Sequence, residues 1–148
     1  MNVEEYIKSS KEIPLRKKTL IHILLINNKI KEVIGSTLKS FDVSLPQYNV
    51  LRILRGQNGK PANLSTLNER MISKMSNTTR LVDKLILKKL VNRVVSPSNR
   101  RKVEIFITNE GIEVLEKMDK AVEKAECSIT KKLENEDLKS LNILLDKI

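Results

Sequence analysis

The signal for β-structure in this 148-residue chain is confined to one hairpin, and the segments on both sides of it have helical periodicity. The stretches VNRVV (91–95) and VEIFIT (103–108) are rich in β-branched residues. The second alternates apolar and polar side chains, which is typical of a half-buried strand. Between them, Ser-Pro-Ser-Asn (96–99) is typical of a turn. The sequence therefore predicts a mainly α fold with one small β-hairpin.

Three adjacent cations, Arg100, Arg101 and Lys102, follow this turn directly. A charged loop tip is usually just solvated, and that is the ordinary explanation for a hairpin considered alone. The alternative is a surface that binds a polyanion, and the elements before the hairpin favour it.

One long helix is predicted from about Leu15 to Lys39, because apolar residues recur at helical spacing without an internal proline. At 1.5 Å per residue, this helix would be about 37 Å long. Its apolar residues cover more than one stripe, so we expect it to bury surface against more than its own domain. A second helix is predicted to start at Ser44, a good N-cap with Pro46 in the first turn, and to end at GQNGKP.

Two short helices joined by a tight turn precede the hairpin. Asn63 is predicted to cap the first, and Ser76 or Ser73 the second. The second helix has one apolar face, and its other face is polar and cationic, with Ser76, Asn77, Thr79, Arg80, Asp83, Lys84 and Lys88. The order helix, turn, helix, wing matches a winged helix-turn-helix. The wing tip can then reach a minor groove, for which arginine is well suited, so Arg100 or Arg101 is expected to contact DNA.

Two further helices are predicted after the hairpin. Thr108 or Asn109 is expected to cap the first, and Asn135 the second. The terminal helix is strongly apolar and needs a partner, with Leu138, Leu141, Ile143, Leu144, Leu145 and Ile148. Together with the long N-terminal helix, it predicts an α-helical dimer interface built from both chain ends.

The net charge of +10 is concentrated in the middle of the chain. Residues 52–102 hold 13 Lys and Arg against two Asp and Glu, whereas residues 103–148 hold seven against eleven. This local excess predicts a polyanionic partner, because neutralised phosphates release counterions. The two Tyr and two Phe lie outside any basic cluster, which disfavours RNA and single strands that stack on aromatic side chains. Double-stranded DNA is the expected partner.

The sequence offers little for catalysis or metal binding. It has no glycine-rich phosphate loop, and its one histidine, His22, and one cysteine, Cys127, are too few for a metal cluster or an intrachain disulfide. No enzyme activity, metal or cofactor is expected, and a redox role for Cys127 stays open. The chain also lacks a long apolar run and a signal-peptide pattern, so a cytoplasmic location is expected.

The succession NTTRLVDKLILKKLV, NRRKVEIFIT and NEGIEVLEKM resembles the MarR (multiple antibiotic resistance regulator) family of bacterial transcription factors. The resemblance covers nearly the whole chain and is sharpest from Leu45 to about Asp119. It implies a homodimeric winged helix-turn-helix with a single domain over 1–148. Within that domain, residues 1–42 and 109–148 would supply dimerisation helices, and residues 43–108 the winged DNA-binding lobe.

The resemblance also implies which residues bind DNA. Its recognition surface in the major groove corresponds to Ser76, Asn77, Thr79, Arg80 and Lys84, and its wing tip to Arg100 and Arg101, beside which Lys102 is the third cation. Two positions depart from the family pattern. Asn99 stands where an acidic residue usually precedes the wing arginines. Lys89 replaces the usual glycine, so the helix before it must end without a left-handed cap or with a strained one.

The predicted function is that of a sequence-specific DNA-binding transcriptional regulator, taken as a repressor, that acts as a homodimer on a pseudo-palindromic operator. In the family, small and often phenolic ligands bind between the dimerisation region and the DNA-binding lobe, so release by a small-molecule effector is an open expectation. The alternative is a winged-helix module that binds an acidic protein partner, or binds DNA without sequence preference.

Overall fold

The computed structural model describes residues 2–72, 77–96 and 99–148, without the side chains of 96 and 99–102. In chain order the described elements are α1 (Val3–Tyr6), α2 (Leu15–Lys39), α3 (Leu45–Arg55), α4 (Leu64–Arg70), α5 (Thr78–Leu87), β1 (Val91–Ser96), β2 (Asn99–Ile107), α6 (Asn109–Thr130) and α7 (Asn135–Leu145). The predicted mainly α fold with one hairpin is confirmed. The short helix α1 was not predicted.

Side-chain caps fix where three of the helices begin, as predicted. A capping box starts α3, in which Ser44 Oγ accepts from the backbone N–H of Gln47 and Gln47 Oε1 accepts from that of Ser44. Asn63 Oδ1 accepts from the backbone N–H of Thr66 at 2.8 Å and starts α4. Thr108 Oγ1 does the same for α6. Each cap satisfies an N–H group that has no partner within the helix.

Two predicted caps were wrong. Helix α5 begins at Thr78 with Asn77 as its N-cap, so the helix starts after both predicted serines, Ser73 and Ser76, which lie outside the described residues. Helix α7 has Glu134 as its N-cap rather than Asn135. The backbone N–H of Glu134 donates to Asp137 Oδ2 at 3.0 Å there, and Asn135 is the first helical residue.

The core lies where the C-terminal part of α2, helices α3, α4 and α5, the base of the hairpin and α6 meet. Its fully buried large side chains include Leu38, Leu51, Leu54, Leu67, Leu85, Ile105, Leu115 and Met118. Burying each of these side chains contributes about 1.5–3 kcal/mol relative to leaving it in water. Helix α6 packs against both α2 and α3, so it connects the N-terminal helix to the rest of the core.

Among the described residues, two helices keep a large apolar surface exposed in the single chain. One is the first half of α2, where Leu20 is 59% and Leu24 61% exposed. The other is α7, a fully described helix of which no residue is buried. Its exposed side chains include Leu141, Ile143, Leu144 and Leu145. Large apolar surfaces of this kind usually mark a protein–protein contact. No helix among the described residues is long and apolar enough to cross a bilayer.

The hairpin is antiparallel and is joined to the helical body at its base. Val91 pairs with Ile107 and Val95 with Val103, and the register shifts between Val95 and Ser96. A single bridge adds Ala62, whose backbone N–H and carbonyl both bond to the backbone of Ile105 at 3.0 and 2.8 Å. These bonds hold β2 against the α3–α4 connection, so the hairpin projects from a fixed base.

Candidate nucleic-acid interface

Helix α5 presents a cationic face because its apolar face is held in the core. Its side chains Thr78, Leu81, Val82 and Leu85 are buried. The sequence predicted these four and Ile86, which is half-buried, for the apolar face. Thr78 Oγ1 also donates a hydrogen bond to Asn68 Oδ1 on α4, which ties the two helices of the helix-turn-helix together. The opposite face then points to solvent, and Thr79, Arg80 and Lys84 on it are exposed.

The other predicted DNA-contacting residues are either partly buried or only partly described by the structure. Asn77 is half-buried at the N-cap, and its Oδ1 atom is buried, so that oxygen does not face solvent. Ser76 lies outside the described residues. Arg100, Arg101 and Lys102 lie on β2 near the hairpin turn, while their side chains lie outside the description. The structure thus brings the exposed face of α5 and the cationic end of the hairpin into consecutive, directly connected elements.

Ion pairs engage two of the charged side chains on the polar face of α5. Asp83 pairs with Arg93 on β1, with 2.7 Å between Oδ1 and Nη2. Lys88 pairs with the carboxylate of Asp42, with 2.6 Å between Nζ and Oδ2, and also donates to the Asp42 carbonyl. The sequence had not suggested either partner. These pairs join α5 to the hairpin and to the α2–α3 connection.

A separate polar cluster joins α3 to α6, and sequence reasoning missed it. Tyr48 Oη donates to Asp119 Oδ1 at 2.6 Å, and Arg55 Nη1 donates to Asp119 Oδ2 at 2.5 Å. Burial and the nearby Asp119 carboxylate raise the pKa of Tyr48 above its ordinary value. Arg55 therefore has a specific partner on α6. The spacing of Tyr48 and Arg55, two helical turns apart, was the only signal for it.

Next to this cluster lies a cavity of about 510 Å³. It is bordered by α2, α3, the residues after α4 and α6, through side chains that include Ile30, Ile34, Tyr48, Arg52, Met71 and Val122. The Arg52 guanidinium lies over the Tyr48 ring, 5.6 Å from its centroid. The cavity is therefore mainly apolar, with a cation and a phenol in its wall.

Comparison with known proteins agrees with this geometry. Residues 43–103 match the model of the MarR family, which covers α3 to the hairpin. The transcriptional regulator YhbI of Bacillus subtilis is 32% identical over 119 residues, which cover 80% of this chain and 76% of the relative. The chain belongs to the MarR family.

Two further similar proteins bear on function. The transcriptional repressor IacR of Pseudomonas putida is 28% identical over 111 residues, covering 75% of this chain and 65% of the relative. A cysteine-to-serine mutant of MarR from Escherichia coli, solved with operator DNA, superposes with a TM-score of 0.76 at 25% identity, covering 90% of this chain and 93% of that one. The protein is thus a DNA-binding transcriptional regulator of the MarR family, and members of this family are not enzymes.

The junction after α5 explains the sequence Thr-x-x-Gly at 108–111, which spans two of the stretches that resemble the MarR family. Thr108 Oγ1 accepts from the backbone N–H of Gly111 at 2.9 Å and donates to the carbonyl of Lys89 at 2.8 Å. A Cβ atom on Gly111 would collide with the carbonyl oxygen of Leu90 and with the side chain of Ile107. Only glycine therefore lets the start of α6 pack this closely on the end of α5.

At Lys89, where the family usually has glycine, α5 ends with a strained left-handed cap. Lys89 has a φ of +60°, the left-handed conformation that the usual glycine would adopt without a Cβ penalty. The backbone N–H of Leu90 bonds to the carbonyl of Leu85 at 3.0 Å, and that of Lys89 to the carbonyl of Ile86 at 2.9 Å. This pair of bonds is a Schellman motif. The motif forms even though a lysine occupies its left-handed position.

Proposed function

We propose that the protein represses transcription as a homodimer that binds a pseudo-palindromic duplex operator. The observation that carries this proposal is the exposed cationic face of α5, directly followed by a hairpin with three cations near its turn. The similar protein IacR is named a transcriptional repressor, which supports repression rather than activation. A regulator of chromosomal promoters acts in the cytoplasm, which agrees with the expected location.

The dimer is supported by the exposed apolar surfaces of α2 and α7. Neither the first half of α2 nor α7 is covered by the rest of the chain. A symmetric dimer would bury both surfaces, because a two-fold interface uses the same surface of each subunit. The two copies of α5 would then face half-sites about one helical turn apart on the DNA.

Within each half-site, we assign Thr79, Arg80 and Lys84 to the major groove, together with Asn77 at the N-cap of the helix and Ser76, which precedes it in the sequence. Arginine reads guanine through two hydrogen bonds, so Arg80 is the main candidate for base recognition. Arg100 and Arg101 are assigned to the flanking minor groove, and Lys102 to the adjacent phosphates, since narrow minor grooves attract arginine.

The cavity beside Tyr48 is the proposed effector site. Its volume of about 510 Å³ is within the usual range for small-molecule sites. Its wall combines apolar side chains with Arg52 and Tyr48, which suits a small aromatic molecule with an acidic group. A ligand there would touch helices of both regions and would release DNA by changing the separation of the two α5 helices.

The test is a fluorescence-anisotropy titration with duplex DNA from upstream of the protein's own gene, with a scrambled duplex as competitor, at two salt concentrations. The matched variant is Arg100→Ala/Arg101→Ala. Preference for the upstream duplex that is lost in the variant would support the proposal.

Two other outcomes would contradict it. Equal, salt-sensitive binding to both duplexes would indicate only a non-specific basic surface. No binding at modest salt would favour the alternative function, a module that binds an acidic protein.

A further inference from the structure

One carboxylate on α6 accepts hydrogen bonds from two points on α3. Asp119 Oδ1 accepts from the Tyr48 hydroxyl at 2.6 Å, and its Oδ2 accepts from the Arg55 guanidinium at 2.5 Å. Tyr48 and Arg55 are seven residues apart, so they lie on the same face of α3 about 10 Å from each other. Asp119 therefore restrains both the position and the direction of α3.

These polar contacts restrain the helix pair more narrowly than the apolar contacts around them. Val50, Leu51 and Leu54 of α3 are buried in the core, but apolar contacts have no preferred direction. Charge-assisted hydrogen bonds weaken steeply when their geometry changes. A small rotation of α3 on α6 would thus cost little in apolar burial but would break the bonds to Asp119.

The chemical state of the cluster suits this role. Tyr48 is 4% exposed, and its burial and the Asp119 carboxylate raise the pKa of its hydroxyl, which keeps it a neutral donor. The side chains of Asp119 and Arg55 are about one-third exposed, at 32% and 38%. Solvent screens an ion pair at that exposure, so its contribution to overall stability is small.

The cluster also lies at the wall of the cavity. The Tyr48 ring borders the cavity, and its hydroxyl reaches away to Asp119. Tyr48 thus both lines the cavity and forms the hydrogen bond to Asp119. A displacement of its ring would therefore change the shape of the cavity and the geometry of this hydrogen bond.

We propose that Tyr48, Asp119 and Arg55 are positioning residues that fix the angle between the DNA-binding lobe and α6, and with it the half-site spacing that the dimer recognises. This inference rests on the proposed function, since it takes α3 to α5 as the DNA-binding lobe and α6 as part of the dimerisation region.

A distance measurement tests the cluster without DNA. Spin labels are placed on the native Cys127 of α6, which is exposed, and on a Ser65→Cys variant in α4, also exposed. Labelled chains are diluted with unlabelled Cys127→Ser chains, so that electron–electron resonance reports the distance within one chain. We expect Tyr48→Phe and Asp119→Asn to broaden or shift the distance distribution. Tyr6→Phe, at a tyrosine that is 63% exposed, is the matched control and should leave it unchanged.

Tyr48→Phe keeps the ring and removes only the hydroxyl, and circular dichroism melts confirm that each variant is folded. A folded Tyr48→Phe and a folded Asp119→Asn that both keep the wild-type distribution would overturn the inference. A shift with Tyr6→Phe of the same size would do so too, because the effect would not be specific to the cluster.

Duplexes that differ only in half-site spacing give the functional test. Wild type should prefer one spacing by about tenfold, and Tyr48→Phe and Asp119→Asn should reduce that preference to within about threefold. Affinity for scrambled DNA should stay the same, because no cation of the DNA-binding surface is changed. A uniform loss at all spacings would indicate a merely structural role. A wild type without any spacing preference would contradict the proposed function, and the distance measurement would still decide the role of the cluster.

Discussion

Asp83 on α5 and Arg93 on β1 form an ion pair that joins α5 to the base of the hairpin, with 2.7 Å between Oδ1 and Nη2. The acidic residue that usually precedes the wing arginines in the family is Asn99 here, which provides no carboxylate. In this chain the ion pair between Asp83 and Arg93 connects the hairpin to α5, and neither residue is at position 99. Both side chains are partly exposed, at 48% for Asp83 and 32% for Arg93, so the pair is worth about 0.2–1 kcal/mol.

A charge swap tests this pair. Arg93→Asp places two carboxylates side by side and should lower the free energy of unfolding by about 1 kcal/mol. The double variant Asp83→Arg/Arg93→Asp keeps the net charge and restores opposite charges, so it should recover most of that loss. Urea denaturation measures both variants. A double variant no more stable than Arg93→Asp alone would show that the pair does not form.

Local patterns in the sequence predicted every described helix except α1 and the starts of α2, α3, α4 and α6, since periodicity and caps depend on neighbouring residues. Helix α2 was predicted over the range in which it is found, and the Ser44 and Asn63 caps are present. The contact between Tyr48 and Asp119 was not predicted, because it joins residues 71 positions apart. Such a contact depends on how α3 packs on α6, which no short stretch encodes. The DNA-binding roles of all eight predicted contact residues stay predictions: Ser76, Asn77, Thr79, Arg80, Lys84, Arg100, Arg101 and Lys102.

Lys89→Gly is expected to stabilise the protein. A lysine with a φ of +60° carries a steric cost of about 1 kcal/mol, and glycine adopts this conformation without it. The free energy of unfolding should therefore rise by up to about 1 kcal/mol in thermal or urea denaturation. Lys89→Ala is the control, because it removes the charge but keeps the Cβ atom. An equal gain in the control would mean that charge, not backbone strain, is responsible.

Gly111→Ala is expected to destabilise the junction between α5 and α6. The added methyl group would collide with the Leu90 carbonyl oxygen, and a rigid backbone atom cannot move aside cheaply. Overpacking of this kind costs about 1–3 kcal/mol. Gly35→Ala in α2 is the matched control, since its new Cβ atom meets nothing within 4 Å and alanine favours a helix by about 1 kcal/mol. In urea or thermal denaturation, Gly111→Ala should lower the free energy of unfolding and Gly35→Ala should raise it. A change of the same sign in both variants would contradict the packing argument.

Tyr48 should make stability depend on alkaline pH. Its pKa is raised in the folded state by burial and by Asp119, so the folded protein holds the proton more tightly than the unfolded chain does. The resulting stabilisation is complete below about pH 10, the ordinary tyrosine pKa, and is lost as the pH rises above it. Tyr48→Phe should therefore be less stable than wild type at neutral pH, and the difference should narrow above about pH 10. Denaturation across this range, with Tyr6→Phe as control, measures the difference. A constant difference would show that Tyr48 does not contribute to the pH dependence.

Arg80 and Lys84, both exposed on α5, should differ in what they contribute to DNA binding. If Arg80 reads a base edge, Arg80→Ala should weaken binding to the cognate duplex by about 1–3 kcal/mol and reduce discrimination against the scrambled one. If Lys84 contacts phosphate, Lys84→Ala should weaken binding to both duplexes alike and lower the slope of affinity against salt by about one. Lys131→Ala, an exposed lysine at the end of α6, is the control and should change neither. Anisotropy titrations at several salt concentrations distinguish these effects, and an unchanged affinity of Arg80→Ala for the cognate duplex would remove Arg80 from the interface.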